Sequence, residues 1–307
     1  MRSPWIESLR SVALTVPDLA AAEVFYTQVW RVAVADRRPG VIYLHGSGSD
    51  HHLLALHERA GMPQILKVSL RARSAQALAA IAAATPAAGG VVEQGLSAAL
   101  DPAGGQAVLI RDAHGRRYEV LHGDRLRAAD APVPADMPQR LAHAVLNSHD
   151  VPAAQGFLES ALGFVLADRT KTMAFMNCTR DHHSIAIGDT DNDALNHIAF
   201  VMPTLEAVMR GGGRMRDAGH GIEWGPGRHG PGDNAFNYFI DPFGIVIEYT
   251  AEVEQIDDNY RPRGPHEWTW PPGRVDQWGI SAPPSARLKQ AQRAVHFSPS
   301  SPSSPST

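Results

Sequence analysis

The sequence repeats itself once, and this repeat limits what the chain can fold into more than any single motif does. VPD at 16–18 aligns with SHD at 148–150, HHLLAL at 51–56 with HHSIAI at 182–187, and DAHGRRYEV at 112–120 with DPFGIVIEY at 241–249. The offsets drift only from 132 to 131 to 129, as one small insertion or deletion per loop would produce. Each copy reads as strand, helix, short strands, helix and a final strand pair. Asp18, Ser74 and Asp150 stand where helices should start, because their short side chains can accept from the unpaired N–H groups of a first turn, and a further helix is expected from Thr204. The strand pattern rests on apolar alternation in SLRSVALTV, VIYLHG, HHLLAL and ILKVSL and their counterparts. A tandem duplication with a linker near 131–138 follows. The expected division is a first domain over 1–131, a second over 138–255, a Pro- and Trp-rich extension over 256–297, and a disordered Ser/Pro tail over 298–307.

The chain is long enough, at 307 residues, to bury a core in each copy. A net charge of -4 without long basic runs leaves no electrostatic footprint for nucleic acid or an anionic membrane surface. The single cysteine, Cys178, excludes an intramolecular disulfide and a thiolate metal cluster. With an N-terminus lacking an apolar run, it points to the cytoplasm. The uncharged run 75–92 is broken by Pro86, Gly89 and Gly90 and reads as a helix and turn, not a membrane span.

The two copies differ where chemistry would sit. Ser11 aligns with His143, Lys67 with His197, and Glu119 with Glu248. Only the second set offers two imidazoles and a carboxylate, and alternation puts each on one face of its own strand. Such a trio with open positions suits a non-haem Fe(II) that must also bind substrate and dioxygen, while zinc with a water is chemically possible from the same ligands. His183, fourteen positions before His197, can face the same cavity as an acid or base near neutral pH. Tyr238, ten positions before Glu248, can bring its hydroxyl to a bound phenolate. His229, in the glycine-rich stretch GPGRHGPGDN, can close over the pocket as a mobile loop donor. With 15 histidines in the chain, His51, His52, His57, His122, His149, His220, His266 and His296 are read as ordinary polar residues. So is His182, which alternation would turn away from His183. Trp268, Trp270 and Trp278 are expected to pack as an ordered strap.

At these residues the chain resembles the type I extradiol ring-cleaving dioxygenases of the vicinal oxygen chelate superfamily, over about 8–280. The likeness rests on LAHAVL with His143, HHSIAI with His183, LNHIAF with His197, GRHGPGDN with His229, and FNYFIDPFGIVIEYT with Tyr238 and Glu248. It implies an α+β fold of two domains, each of two βαβββ units, with the metal in the C-terminal one. It implies Fe(II), less often Mn(II), on His143, His197 and Glu248. His183 would be the acid/base for a catechol substrate that reacts with O2, as in aromatic-compound catabolism, and His229 and Tyr238 would hydrogen-bond the bound oxygens. A homo-oligomer is expected on the resemblance alone. Two rival readings are a metal-dependent lyase or isomerase of the same superfamily and a protein that binds a small aromatic without turnover.

Overall fold

A computed structural model describes residues 3–299. The first half carries β1 (Ile6–Val16), β2 (Ala33–Arg38), β3 (Val41–His45), β4 (Leu54–Glu58), β5 (Ile65–Ala72), β6 (Val91–Ala98), β7 (Gln106–Arg111) and β8 (Arg117–His122). They form one sheet in the order β2-β3-β4-β1-β5-β8-β7-β6. The second half carries β9 (Arg140–Ser148), β10 (Val165–Arg169), β11 (Met173–Asn177), β12 (Ile185–Asp189), β13 (Ala194–Val201), β14 (Trp224–Arg228), β15 (Ala235–Ile240) and β16 (Val246–Ala251). Their order, β10-β11-β12-β9-β13-β16-β15-β14, is the first order repeated, with β17 (Val295–His296) added against β13. Each sheet is therefore two βαβββ modules joined at their first strands.

The helices are α1 (Leu19–Val24), which runs on as a π turn over Phe25–Val29, then α2 (Ala75–Ala87), α3 (Val151–Leu162), α4 (Leu205–Asp217) and the short α5 (Ala286–Ala291). Asp18, Ser74, Asp150 and Thr204 each accept from the third residue on, at 2.8, 3.2, 3.0 and 3.1 Å. Local capping chemistry thus sets the first four helix starts.

Both faces of the central strands are buried, and alternation divides them by chemistry. On β9, Ala144 and Leu146 enter the main core, whereas His143 and Val145 face the opposite side. On β13 and β16, Ile198, Phe200, Ile247 and Tyr249 join that core, so His197 and Glu248 share the concave face with His143. The core is continuous across the halves. Trp30 of the first half lies flat on Tyr249 of the second, with centroids 3.6 Å apart and planes within 5°. The Tyr249 hydroxyl donates to the Trp30 carbonyl at 2.6 Å, and Tyr26 donates to Asp241 at 2.9 Å. Trp30→Ala should cost about 3–5 kcal/mol in urea unfolding, and a loss under about 1 kcal/mol would mean that the halves hold together elsewhere.

Three expectations meet a different structure. The histidine pairs 51–52 and 182–183 precede their strands instead of lying in them, since β4 and β12 start at Leu54 and Ile185. Strand alternation therefore does not govern His182. Ser298, placed at the start of the disordered tail, is buried and its N–H donates to Ile65 O at 2.9 Å; residues 300–307 lie outside the described residues. Of the three tryptophans in the extension, Trp270 and Trp278 are 40% and 37% exposed, so these two rings pack more openly than their size predicts.

Candidate metal centre

The register brings the trio together. On antiparallel β9 and β13, His143 stands opposite Ala199. On parallel β13 and β16, Ala199 stands opposite Glu248. His197, two residues before Ala199, points to the same face. His143 Nε2 lies 3.4 Å from His197 Nε2 and 3.3 Å from Glu248 Oε2, and His197 Nε2 lies 3.2 Å from that oxygen. Ligand atoms about 2.1 Å from one ion at right-angled positions stand about 3 Å apart, so this triangle fits a divalent cation. All three side chains are buried. Burial alone would raise the Glu248 carboxyl, but the contacts with His143 and His197 outweigh it and hold Glu248 well below the usual carboxylate range.

The neighbours fix which nitrogen is offered. His197 Nδ1–H donates to Asn196 Oδ1 at 2.8 Å, which leaves its Nε2 lone pair for the ion. Asn196 Nδ2 donates to Asn147 Oδ1 at 2.9 Å, and Asn147 Nδ2 donates to Gln292 O at 2.9 Å. Sequence reasoning passed over this chain of amides because its links lie 49 and 145 residues apart. Asn196→Ala should weaken metal affinity roughly 10–100-fold, as read by chelator competition, with the fold intact. Unchanged affinity would remove Asn196 from the site. On the other side, Asn234 Nδ2 donates to Glu248 Oε1 at 3.3 Å and to Thr250 Oγ1 at 2.7 Å. His143 Nδ1 has no hydrogen-bond partner among the described residues, and its ring is held instead by stacking on His183, with centroids 4.4 Å apart.

His183 reaches that position because β12 runs parallel to β9, with Ile185 opposite Ala144. Burial pushes its pKa well below the ordinary histidine value, and His143, His182, His229 and His197 add in the same direction. At neutral pH the ring is an uncharged proton acceptor. Its Nδ1 lies 3.1 Å from Nδ1 of His182, whose Nε2 lies 2.9 Å from the fully buried Asp168 carboxylate. Asp168 can only accept from His182 Nε2–H, so His182 Nδ1 accepts from His183 Nδ1–H and the His183 Nε2 lone pair is left free. His182, read from the sequence as an ordinary polar residue, is thus the link between His183 and Asp168. The adjacent HH pair was the available signal, and strand alternation was the wrong rule for residues outside a strand.

Asp168 is itself held by the extension, accepting from Tyr260 Oη at 2.9 Å and from Arg263 N at 2.7 Å. Tyr238 sits opposite Glu248 on β15, with its hydroxyl 3.3 Å from His197 Nε2 and 3.0 Å from His229 Nε2. Burial and the Glu248 charge raise the Tyr238 hydroxyl well above 10, so it stays protonated. His229 is brought down to about 4 by burial, against a partial offset from Glu248. Its ring stacks on Phe236 at 4.0 Å, and its carbonyl accepts from Gln277 at 2.5 Å. The loop is pinned by the extension, and this differs from the expected free loop donor.

Among the described residues no helix is long and apolar enough to cross a membrane. Residues 140–249 match the Glyoxalase/Bleomycin resistance protein/Dioxygenase superfamily. Metapyrocatechase 2 of Cupriavidus necator is 32% identical over 170 residues, which is 52% of this chain and 51% of that protein. The chain spans about half the length of the curated relatives it matches. A solved structure of a Mn(II)-bound glyoxalase from Novosphingobium aromaticivorans is 30% identical, covers 96% of both chains and superposes with a TM-score of 0.87. Homoprotocatechuate 2,3-dioxygenase of Arthrobacter globiformis shares the fold at 22% identity, with a TM-score of 0.83 over 97% of this chain and 94% of that one. By the whole-length match at 30% identity, together with the matched segment that contains all three candidate ligands, the chain belongs to the Glyoxalase/Bleomycin resistance protein/Dioxygenase superfamily.

Proposed function

We propose that the chain is an extradiol dioxygenase that opens the ring of a catechol-type substrate with O2 at a non-haem Fe(II), or Mn(II), held by His143, His197 and Glu248. The observation that carries this reading is the meeting of three potential ligands with an uncharged, oriented histidine and a protonated tyrosine in one buried concavity. The bound ion would supply Lewis-acid polarisation of the diol and the redox chemistry that lets it react with dioxygen.

The chain's own residues would do the rest. His183 Nε2, oriented through His182 and Asp168, would take a hydroxyl proton from the diol and return a proton after ring attack. Tyr238 and His229, as hydrogen-bonding groups beside the ligands, would hold the substrate oxygens in place. Phe175 and Val145, packed with Ala186, would supply an apolar wall for the ring. The metapyrocatechase relatives support the reaction class. The match to the glyoxalase structure supports the second reading, a metal-dependent lyase or isomerase. We further propose a cytoplasmic homo-oligomer whose metal-bearing unit is 138–255. Anaerobic reconstitution with Fe(II) or Mn(II), followed by a catechol panel with O2, separates the two reactions. The dioxygenase reading expects oxygen uptake and a yellow ring-opened product; a fully loaded protein that consumes no oxygen with any catechol would favour the second.

A further inference from the structure

The first half keeps a cavity at the place where the second half has its trio. This cavity, of about 280 Å³, lies on the concave face of the first sheet. At its floor the Lys67 ammonium, aligned with His197, pairs with Glu119, aligned with Glu248, at 2.6 Å. Ser69 Oγ donates to the other Glu119 oxygen at 3.0 Å, and Ser11 replaces the bulky His143. A fixed ion pair thus stands in place of a metal site.

The wall above it has not changed to match. Val41, Tyr43, Ala55 and Ala13 form an apolar cluster with Leu66, and their repeat-equivalents Met173, Phe175, Ala186 and Val145 form the cluster beside the metal centre. The pairings agree as well: Ala55 stands opposite Ala13 and Tyr43, as Ala186 stands opposite Val145 and Phe175. Alanine at 13 in place of valine widens the first cavity. Arg38 closes part of its mouth by donating to Leu100 O at 2.9 Å, and its guanidinium lies 5.8 Å from the Tyr43 ring centre.

We propose that this cavity binds a single aromatic ring carrying oxygens on adjacent carbons, without redox chemistry. An apolar cavity of roughly 150 Å³ already holds benzene, so the volume suffices for one substituted ring. Charge selects a neutral ligand, because the charged groups of the lining already have partners: Lys67 pairs with Glu119, Asp101 with Arg10 and Arg38 with Asp36. The polar floor then selects the oxygens. The Lys67 ammonium donates and the Glu119 carboxylate accepts, side by side, so one ring oxygen can receive from the first while its neighbouring hydroxyl donates to the second. A flat ring lies against Tyr43 and the two alanines, as Phe175 and its neighbours allow in the other half.

The assignment does not depend on the reaction at the metal centre. Equilibrium dialysis of radiolabelled catechol under nitrogen, on the full His197→Ala chain and on metal-stripped wild-type chain, tests it. The expected result is one saturable equivalent in both. Adding Lys67→Met should weaken binding at least tenfold. Ala13→Leu, which fills the cavity from the position opposite Lys67 and keeps both charged groups, should do the same and decides the matter if the lysine variant does not fold. Neither change should alter metal content when His197 is present. No saturable binding, or binding indifferent to both substitutions, overturns the proposal and leaves the oxygen-uptake test of the metal centre untouched.

Discussion

A His197→Ala chain is expected to retain less than about a tenth of the wild-type metal after dialysis and to show no catechol-dependent oxygen uptake above background. The side chain supplies one corner of a ligand triangle with edges of 3.2–3.4 Å. Its removal leaves one imidazole and one carboxylate, which cannot hold a divalent ion against solvent in the same way. Alanine also strands Asn196, whose Oδ1 loses its donor. That polar group is only part-buried, so a stability loss of about 1–3 kcal/mol is an upper range. The measurement is metal per chain by elemental analysis beside a urea unfolding curve. Full metal content in a folded variant would place the ion elsewhere and remove the foundation of the functional reading.

His183→Phe is expected to separate metal binding from chemistry. Phenylalanine can keep the stack on His143 and the edge contact with Phe175, so metal content should stay within a factor of about two. It has no nitrogen with which to accept a proton, and loss of a positioned acid/base costs typically 100–10,000-fold in turnover. It also leaves His182 Nδ1 without its partner, so the unfolding midpoint should fall modestly. Loss of metal would mean that His183 acts through packing. Unchanged turnover would assign the proton to another group, with His229 and Tyr238 the nearest to the ligands.

What could be read from the chain follows from the range of the interactions involved. The helix starts at Asp18, Ser74, Asp150 and Thr204 depend on a hydroxyl or carboxylate and an N–H three residues on, and such contacts are written locally. The trio was legible because duplication supplies an internal control: Ser11, Lys67 and Glu119 show what the same strand positions carry when another pairing occupies them. The edge strands were harder to see. AVADRR, VVEQGLSA, VLADR and WGPGR are polar, charged or glycine-bearing because each lies at the end of a sheet and contributes few buried apolar side chains, so the apolar alternation that marks a central strand is missing. His182 and Asn196 were missed for a different reason. Their roles depend on partners fixed only by the fold, such as Asp168 and Asn147, and no local period encodes them.

The extension after β16 ties itself to the groups around the candidate ligands rather than to the ligands themselves. Tyr260 and Arg263 hold Asp168, Gln277 holds the His229 backbone, and the carbonyl of Gln292 holds Asn147. None of these contacts involves the ligating atoms of His143, His197 or Glu248. A molecule clipped by a protease within this segment would therefore age in an unusual way. It would keep all three candidate ligand side chains, while the groups that orient His183, His229 and Asn196 lost their anchors. A count of the ligand residues would then say little about intact protein, and continuity of the chain through Tyr260, Arg263, Gln277 and Gln292 would say more.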